Sequence, residues 1–318
     1  MGILYNVNPL IFPPPIPPTE PHMWFFLRRR FSRFLQNLPI SSSQYEDAIT
    51  KIKGVASCLN REYWGVASDT SNILIAGSWG KNTHISPVGD IDIIFFLPVD
   101  VYNRYELRTG NKQSQLLQEI RGIVAEKYSS TARIRADGQV VEIPFNSISI
   151  EIVPAFRLQN GNVWICDTND GGRYKTVAPE AEGKSLSDSD AAYNGNTRAL
   201  VRMAKRWKDE CNVPIKSFQL EILAQVFLRS WPHSRNDIFW YDWMVRDFFA
   251  FLIQHQNGNV TFPVTGEVSP LGSEWLSKAQ TAYSNAVEAC VCERDNYERL
   301  AGQNWQKIFG TAVPEAVT

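Results

Sequence analysis

The sequence predicts an α+β protein in which a mixed sheet with helices lies between an N-terminal helical pair and a helical C-terminal half. Three changes of pattern support this prediction. Apolar residues recur at helical spacing over residues 22–64, and short alternating or continuous apolar runs follow over 72–156. Helical spacing then returns after about Asn194. The sheet therefore occupies the middle of the chain.

The first 64 residues divide into three segments. Residues 1–21 are proline-rich and cannot form a helix, because proline lacks the backbone N–H. They predict either an extended arm on the body or a disordered leader. A helix is expected over 22–38, ended by Pro39, and a second over 41–64 with a serine cap at Ser41.

The remaining elements follow from the same periodicities. Strands are predicted over 72–76, 90–97, 138–145 and 147–153. Helices are predicted over 102–128, 197–211, 217–230, 240–256 and 273–302. The segment 164–178 is rich in turn residues, so we expect a functional loop there.

Composition excludes several classes of protein. The 318 residues are 44% hydrophobic and 20% charged with a net charge of −1, so no overall basic field would recruit nucleic acid or an anionic membrane. Neither a secretory signal nor an apolar run of membrane-spanning length is recognisable. The five cysteines form no disulfide framework. We therefore expect a cytoplasmic protein with reduced thiols.

The basic cluster is Arg28–Arg30 with Arg33. We expect it to be a solvated helix face, and a nucleic-acid-binding patch is the alternative.

Two aspartates, Asp90 and Asp92, open a run that otherwise has the composition of a buried strand. Residues i and i+2 of a strand face the same side, so the two carboxylates should lie together while Ile91 and Ile93 point into the core. Neighbouring carboxylates repel each other unless a cation lies between them. Carboxylate oxygens suit Mg²⁺, which also binds substrate phosphates.

A third acid, Glu151, lies in the run 147–153, where isoleucines alternate with polar residues. If this strand lies beside the strand of Asp92, three carboxylates converge. That arrangement is the one required by two-metal phosphoryl transfer, with the ions about 4 Å apart.

Gly77 and Ser78 end a predicted strand and precede a short helical turn. Glycine allows close backbone approach, and free N–H groups at a helix start bind phosphate. Ser78 adds a hydroxyl group, and Lys81 adds a nearby positive charge. The order of strand, Gly-Ser, eleven residues, Asp-Ile-Asp and a later acid favours a catalytic site.

With these motifs the sequence resembles the DNA polymerase β-like nucleotidyltransferases, in the branch of cyclic GMP–AMP synthase and 2′-5′ oligoadenylate synthase. Within that branch it is most similar to the bacterial CD-NTases, the cyclic-oligonucleotide synthases of CBASS anti-phage defence. The narrower match lies in GSWGKNT (77–83), EIVPAF (151–156), LVRMAKRWK (200–208), KSFQLEIL (216–223) and WQKIFG (305–310). It covers nearly the whole chain from about residue 24.

The resemblance implies a bilobal fold. A nucleotidyltransferase core with the N-terminal helices would span 22–190, and a helical domain like that of the oligoadenylate synthases would span 191–318. The proline-rich arm, 1–21, is outside the resemblance.

The resemblance also implies roles for individual residues. Two Mg²⁺ ions, with Mn²⁺ as a substitute, would be held by Asp90, Asp92 and Glu151, although relatives often have aspartate at the third position. Phosphate contacts would come from Gly77, Ser78, Lys205 and Ser217, and Phe218 would stack on the donor base. The loop over 164–178 would pass over the nucleotide site, where Tyr174 would stack on a base. A surface lysine at 205 and a core phenylalanine at 218 are the alternatives.

Three functions remain open on the sequence. The first joins nucleoside triphosphates into a cyclic di- or trinucleotide second messenger for a separate effector protein. The second is template-independent transfer to RNA or to a protein, although the near-neutral charge argues against a nucleic-acid track. The third is a nucleotide-binding scaffold without turnover, which the retained acids disfavour.

Overall fold

The computed structural model describes residues 24–131 and 133–317. The predicted proline-rich arm and the start of the first predicted helix lie outside the described residues.

The described helices and strands alternate in the first half of the chain, and helices dominate the second. The helices are α1 Leu27–Asn37, α2 Ser42–Trp64, α3 Gly77–Gly80, α4 Val99–Glu106, α5 Lys112–Lys127, α6 Pro179–Ala192, α7 Asn196–Glu210, α8 Ser217–Ser230, α9 Tyr241–Gln254, α10 Leu276–Arg294 and α11 Glu298–Phe309. The strands are β1 Ile73–Ile75, β2 Ile91–Phe96, β3 Arg135–Asp137, β4 Val140–Pro144, β5 Ser149–Arg157, β6 Val163–Asp167, β7 Arg173–Val177, β8 Asn259–Thr261 and β9 Val268–Pro270.

Seven strands form one mixed sheet, which confirms the predicted fold class. The order is β1-β2-β5-β4-β3, and β6 continues from β5 to β7. Strands β2 and β5 pair in parallel and every other described pair in this sheet is antiparallel. A parallel pair needs a long crossover, and α4 and α5 lie within this one. The central strands are rich in isoleucine, which packs well on a pleated surface.

Two large hydrophobic cores support the sheet and the helices. One face of the sheet packs on α2 and α5 through residues such as Leu59, Ile93 and Ile120. The other core lies among the C-terminal helices around Trp207 and Trp305, and α1 packs into it rather than onto the sheet. The division into domains at 190/191 stays a prediction. None of the described helices combines the length and apolar character needed to cross a bilayer.

Two predicted long helices are each interrupted. The helix predicted over 102–128 is the pair α4 and α5, because Gly110 adopts a positive φ of +76° and the Asn111 side chain caps α5 at Ser114 N. The helix predicted over 273–302 is the pair α10 and α11, separated by Asn296 with φ +57°. Both breaks occur at residue types that tolerate the left-handed conformation.

The prediction of a loop over 164–178 is wrong, because these residues form the hairpin β6–β7. The ring of Tyr174 is already used in packing within the protein: it stacks on Trp164, with centroids 5.7 Å apart, and lies beside Tyr102 and Phe156. The turn residues lie only at the tip, where Asp167 accepts hydrogen bonds from Asn169 and Arg173.

The basic cluster on α1 is solvated only in part. Arg29 and Arg33 are exposed as predicted, but Arg30 is 0% exposed. Its Nε donates to Glu293 Oε1 at 2.6 Å, and its other nitrogens donate to backbone carbonyls near the C-terminus. Helix spacing explains the difference, because Leu27, Arg30 and Phe34 lie on one face. This ion pair ties α1 to the C-terminal helices.

We predict that Arg30→Met destabilises the protein by about 3–5 kcal/mol, because the Glu293 carboxylate is left buried without its partner. Urea unfolding measures this loss. Arg29→Met, which removes a neighbouring exposed guanidinium, should change the free energy of unfolding little. Equal effects of the two substitutions would contradict the structural role of Arg30.

Candidate active site

The two aspartates lie at the start of β2. Asp90 is exposed and immediately precedes the strand, and Asp92 is half-buried within it. Ile91 and Ile93 are both 0% exposed in the core beneath the sheet, which confirms the predicted alternation. Further along β2, Phe96 is buried on the opposite face as well. The acids thus mark the end of the strand where one face opens.

The third predicted acid lies directly beside the second. Asp92 and Glu151 are register partners in the parallel pair β2–β5. Glu142 of β4 is the register partner of Glu151 on its other side. Side chains of register partners share one face of the sheet, so three acidic side chains form a row across β2, β5 and β4.

Burial and mutual repulsion shift the pKa values of these acids. Burial, followed by the charges of Asp92, Asp90 and Glu142, raises the pKa of Glu151 to about 7. Burial and the charge of Asp90 raise the pKa of Asp92. Burial and the charge of Glu142 raise the pKa of Asp90. All three predicted ligands are therefore harder to ionise than isolated carboxyl groups while no cation lies among them.

The described residues offer these three carboxylates no side-chain partner, although Asp92 accepts from its own backbone N–H. No described side chain donates a hydrogen bond to Asp90, Asp92 or Glu151, and no described lysine or arginine forms an ion pair with them. Within 24–131 and 133–317, no three acidic, histidine or cysteine side chains are grouped closely enough to hold one ion by themselves. Mg²⁺ needs only one or two protein carboxylates when water and substrate oxygens complete its shell, so unpaired hard-oxygen donors fit this ion.

Gly77 fits closely over Asp92. It begins α3 with a φ of +54°, and a Cβ atom placed on it would lie 1.8 Å from Asp92 Oδ2. Its neighbour Ala76 donates its N–H to the Asp92 carbonyl at 2.8 Å. Any other residue would be strained at this φ and would push the carboxylate aside. The Ser78 hydroxyl makes no hydrogen bond to another described residue.

The two predicted lysines meet in one network behind this turn. Glu221 accepts from Lys205 Nζ at 2.6 Å, from Thr83 Oγ1 at 2.9 Å and from Lys81 Nζ at 3.1 Å. Lys205 also donates to Thr83 at 2.8 Å, and Lys81 donates to Glu182 at 3.3 Å. The structure thus brings Lys81 and Lys205 together through acids, and no described contact joins either lysine directly to the three carboxylates.

The network sets the charge of its members. Burial lowers the pKa of Lys205 by more than Glu221 restores it. Burial opposes charge on Lys81 too, but Glu221 and Glu182 outweigh it and raise the pKa. For Glu221, the two lysines outweigh burial and lower the pKa. The two lysines also partly offset the raised pKa of Asp92, so they lie within electrostatic reach of the acids.

Helix α7 fixes the loop that carries Lys81. Arg198 Nε donates to the Lys81 carbonyl at 3.0 Å, and Arg202 donates to the Asn82 carbonyl at 2.7 Å. Thr83 N in turn donates to the Ser78 carbonyl at 2.8 Å. These contacts tie the Gly77–Ser78 turn to the helical half of the molecule.

Phe218 lies at the edge of the same region. It lines a cavity of about 20 Å³ together with Lys81, Glu182, Glu221 and Phe262. Its ring faces Phe262, with centroids 4.9 Å apart and an angle of 30°. Ser217 begins α8 and makes no side-chain hydrogen bond to a described residue.

The sequence analysis did not identify four residues that contact the predicted site residues in the structure. They are Thr83, Glu142, Glu182 and Phe262. Glu142 had a usable signal, since it alternates with the buried Val141 and Ile143 just as Glu151 alternates with isoleucines. Thr83 lies within the GSWGKNT motif, which by itself indicates no role for it. Glu182 lies in α6, which was not predicted, and Phe262 follows β8, a short strand that was not predicted either.

Comparison with known proteins agrees with the fold. The chain is 24% identical over 246 residues, 73% of its length and 74% of the relative's, to the CBASS oligonucleotide cyclase CdnC of Escherichia coli strain KTE188. The Vibrio cholerae DncV cyclic AMP–GMP synthase, solved with a linear intermediate, superposes with a TM-score of 0.70 at 14% identity over 92% of this chain and 97% of that one. Escherichia coli MS115-1 CdnC, solved in complex with HORMA-deltaN, gives 0.62 at 16% identity over 90% and 98%.

The family comparison is more direct. Residues 26–190 match the Second Messenger Oligonucleotide or Dinucleotide Synthetase domain, SMODS. Because this match spans more than half of the 318 residues, the protein belongs to the family of second messenger oligonucleotide or dinucleotide synthetases and is a nucleotidyltransferase of the polymerase β-like class.

Proposed function

We propose that this enzyme joins nucleoside triphosphates into a cyclic di- or trinucleotide second messenger, in a Mg²⁺-dependent reaction that releases pyrophosphate. The observation that carries the proposal is the pairing of Asp92 with Glu151 across the parallel strands, directly beneath Gly77. We further propose that the product acts in CBASS anti-phage signalling through a separate effector protein.

The reaction repeats one step, twice for a cyclic dinucleotide and three times for a cyclic trinucleotide. A 3′- or 2′-hydroxyl oxygen of one nucleotide forms a bond to the α-phosphorus of another, and the bond from that phosphorus to the pyrophosphate oxygen breaks. The hydroxyl proton is released to solvent, and the last attack of this kind closes the ring. Little covalent chemistry is required of the protein, so positioning and charge neutralisation dominate.

The chain's residues divide this work. Asp90, Asp92 and Glu151 would hold two magnesium ions, which when bound neutralise phosphate charge and activate the attacking hydroxyl. Gly77 and Ser78 would approach the triphosphate, with Lys81, Lys205 and the start of α8 at Ser217 supplying further phosphate contacts. Phe218 would stack on a base in place of its present contact with Phe262.

The named relatives support the same chemistry for this chain. DncV was solved with a linear intermediate, which is the expected species between the two attacks. CdnC is described as a CBASS oligonucleotide cyclase and was solved with a HORMA protein, which supports a protein partner here too.

We predict phosphatase-resistant cyclic products when the protein is incubated with the four nucleoside triphosphates and Mg²⁺. Asp92→Asn and Glu151→Gln should each lower the yield by about a hundredfold or more, because each removes charge that the reaction depends on. Mass spectrometry identifies the products. Both variants should also melt no lower than wild type, since each relieves repulsion in the metal-free site.

Glu126→Gln is the control, because it removes an exposed carboxylate on α5. Labelled nucleotide found only on added RNA or on added protein would replace the proposed function with template-independent transfer. Nucleotide binding without any turnover would contradict both.

We predict that Gly77→Ala lowers product formation on the order of a hundredfold. The new Cβ would lie 1.8 Å from Asp92 Oδ2 and would therefore displace the carboxylate. The initial rate measures this. Gly138→Ala is the matched control, since Gly138 also has a positive φ, +58°, and a Cβ there meets nothing within 4 Å. An active Gly77→Ala enzyme would show that Asp92 need not stay where the structure places it.

The raised pKa of Glu151 predicts a pH dependence of metal binding. Between its ordinary pKa and about 7, the folded metal-free protein holds more protons than the unfolded chain, so its stability falls as pH rises through that window. Bound Mg²⁺ removes this loss. The increase in Tm on adding Mg²⁺ should therefore be larger at pH 8 than at pH 6, and Glu151→Gln should reduce the difference. Equal increases in wild type would contradict the assignment of Glu151 as a ligand.

A further inference from the structure

Glu221 is the centre of a buried network that joins the two halves of the site. Its carboxylate is 6% exposed and both of its oxygens are used, Oε1 by Lys205 and Thr83 and Oε2 by Lys81. Lys81 and Thr83 follow the Gly77–Ser78 turn, whereas Lys205 and Glu221 lie on α7 and α8. The Glu221 carboxylate on α8 thus fixes groups from two other segments of the chain.

The two lysines retain binding capacity within this network. An ammonium group carries three N–H donors. Lys81 uses two of them on Glu221 and Glu182, and Lys205 uses two on Glu221 and Thr83. Each ammonium therefore has one donor left for an anion, at a place where both charges already act on Asp92.

The two acids that hold Lys81 differ in kind. Glu221 is almost fully buried and is held by three donors, so leaving its place would strand charges in the interior. The Glu182 side chain is 19% exposed, and Lys81 Nζ is its one described side-chain partner, at 3.3 Å. Glu182 lines the same cavity as Phe218. An incoming anion could replace Glu182 at little cost, but not Glu221.

We propose that Glu221 is a positioning residue that holds Lys81 and Lys205 for the triphosphate, and that Glu182 is the partner which the triphosphate displaces from Lys81. This inference rests on the nucleotide binding of the proposed function. Glu182 keeps the ammonium in place in the empty site, and a phosphate oxygen takes over its contact on binding. The triphosphate must therefore overcome an ion pair before it engages Lys81.

Glu182→Gln tests the displacement. Isothermal titration with ATP and Mg²⁺ should show about two- to fivefold tighter binding than wild type, the size expected for loss of one partly exposed competing ion pair. Inorganic tripolyphosphate should show the same gain, and AMP, which lacks the β- and γ-phosphates, should show none. Unchanged or weaker ATP binding by Glu182→Gln would overturn the displacement.

Glu180→Gln is the matched control. It removes the same charge from α6 two residues away, where the carboxylate pairs on the surface with Arg157. If Glu180→Gln tightens ATP binding as much as Glu182→Gln, the effect is general electrostatics, and the specific contact with Lys81 is refuted.

Glu221→Gln tests the positioning role. It should weaken ATP and tripolyphosphate binding about tenfold or more, as loss of a group that orients ligands does, and should affect AMP less. A purely structural role would instead lower Tm and leave the ratio of ATP to AMP affinity unchanged. If Glu221→Gln does not fold, the Glu182→Gln titration alone decides the proposal.

The outcome is separable from that of the proposed function. Cyclic product from wild type together with unchanged ATP affinity in Glu182→Gln would sink the inference and leave the function standing. The predicted gain in affinity without any cyclic product would support the inference and contradict the proposed function. A wild-type protein that binds neither ATP nor tripolyphosphate would overturn both.

Discussion

The parallel pairing of β2 with β5 places Asp92 beside Glu151, and much of the site depends on this register. A slip of one residue in either strand would turn its acid to the opposite face of the sheet. Buried isoleucines on both strands, Ile93 and Ile152 among them, prevent that slip because they would have to leave the core. Burial of these isoleucines therefore holds the two carboxylates side by side although they repel each other. Gly77 belongs to the same constraint, since no larger residue fits over Asp92.

The site also divides the charges between the two halves of the molecule. The sheet supplies the acids, and the cations lie behind the Gly77–Ser78 turn and on α7. Lys81 and Lys205 would repel each other if they were brought together without Glu221, and Glu221 would be a buried unpaired charge without the lysines. The network is thus mutually dependent, and it explains how helices distant in sequence hold a loop next to β1. Binding of a triphosphate would act on both halves at once.

Local sequence patterns correctly predicted the features that depend on neighbouring residues. The alternation around Asp92 and Glu151 gave their faces correctly, and the short helical turn at Gly77 was expected. The pairing of their strands was only a condition in that argument, because register depends on contacts distant in sequence. The pairing of Lys81 with Glu182 and Glu221 could not be predicted, because these contacts form where α6 and α8 pack against the Gly77–Ser78 turn. Arg30 was misjudged because its charge was weighed without its position on the apolar face of α1. The breaks at Gly110 and Asn296 had visible signals that helical periodicity on both sides obscured.

The most direct measurement is anomalous diffraction from crystals soaked with Mn²⁺ and a non-hydrolysable nucleoside triphosphate analogue. The account predicts manganese bound between the carboxylates of Asp92 and Glu151, with phosphate oxygens of the analogue completing its shell. Manganese bound elsewhere, with these two carboxylates still without a cation, would contradict the account.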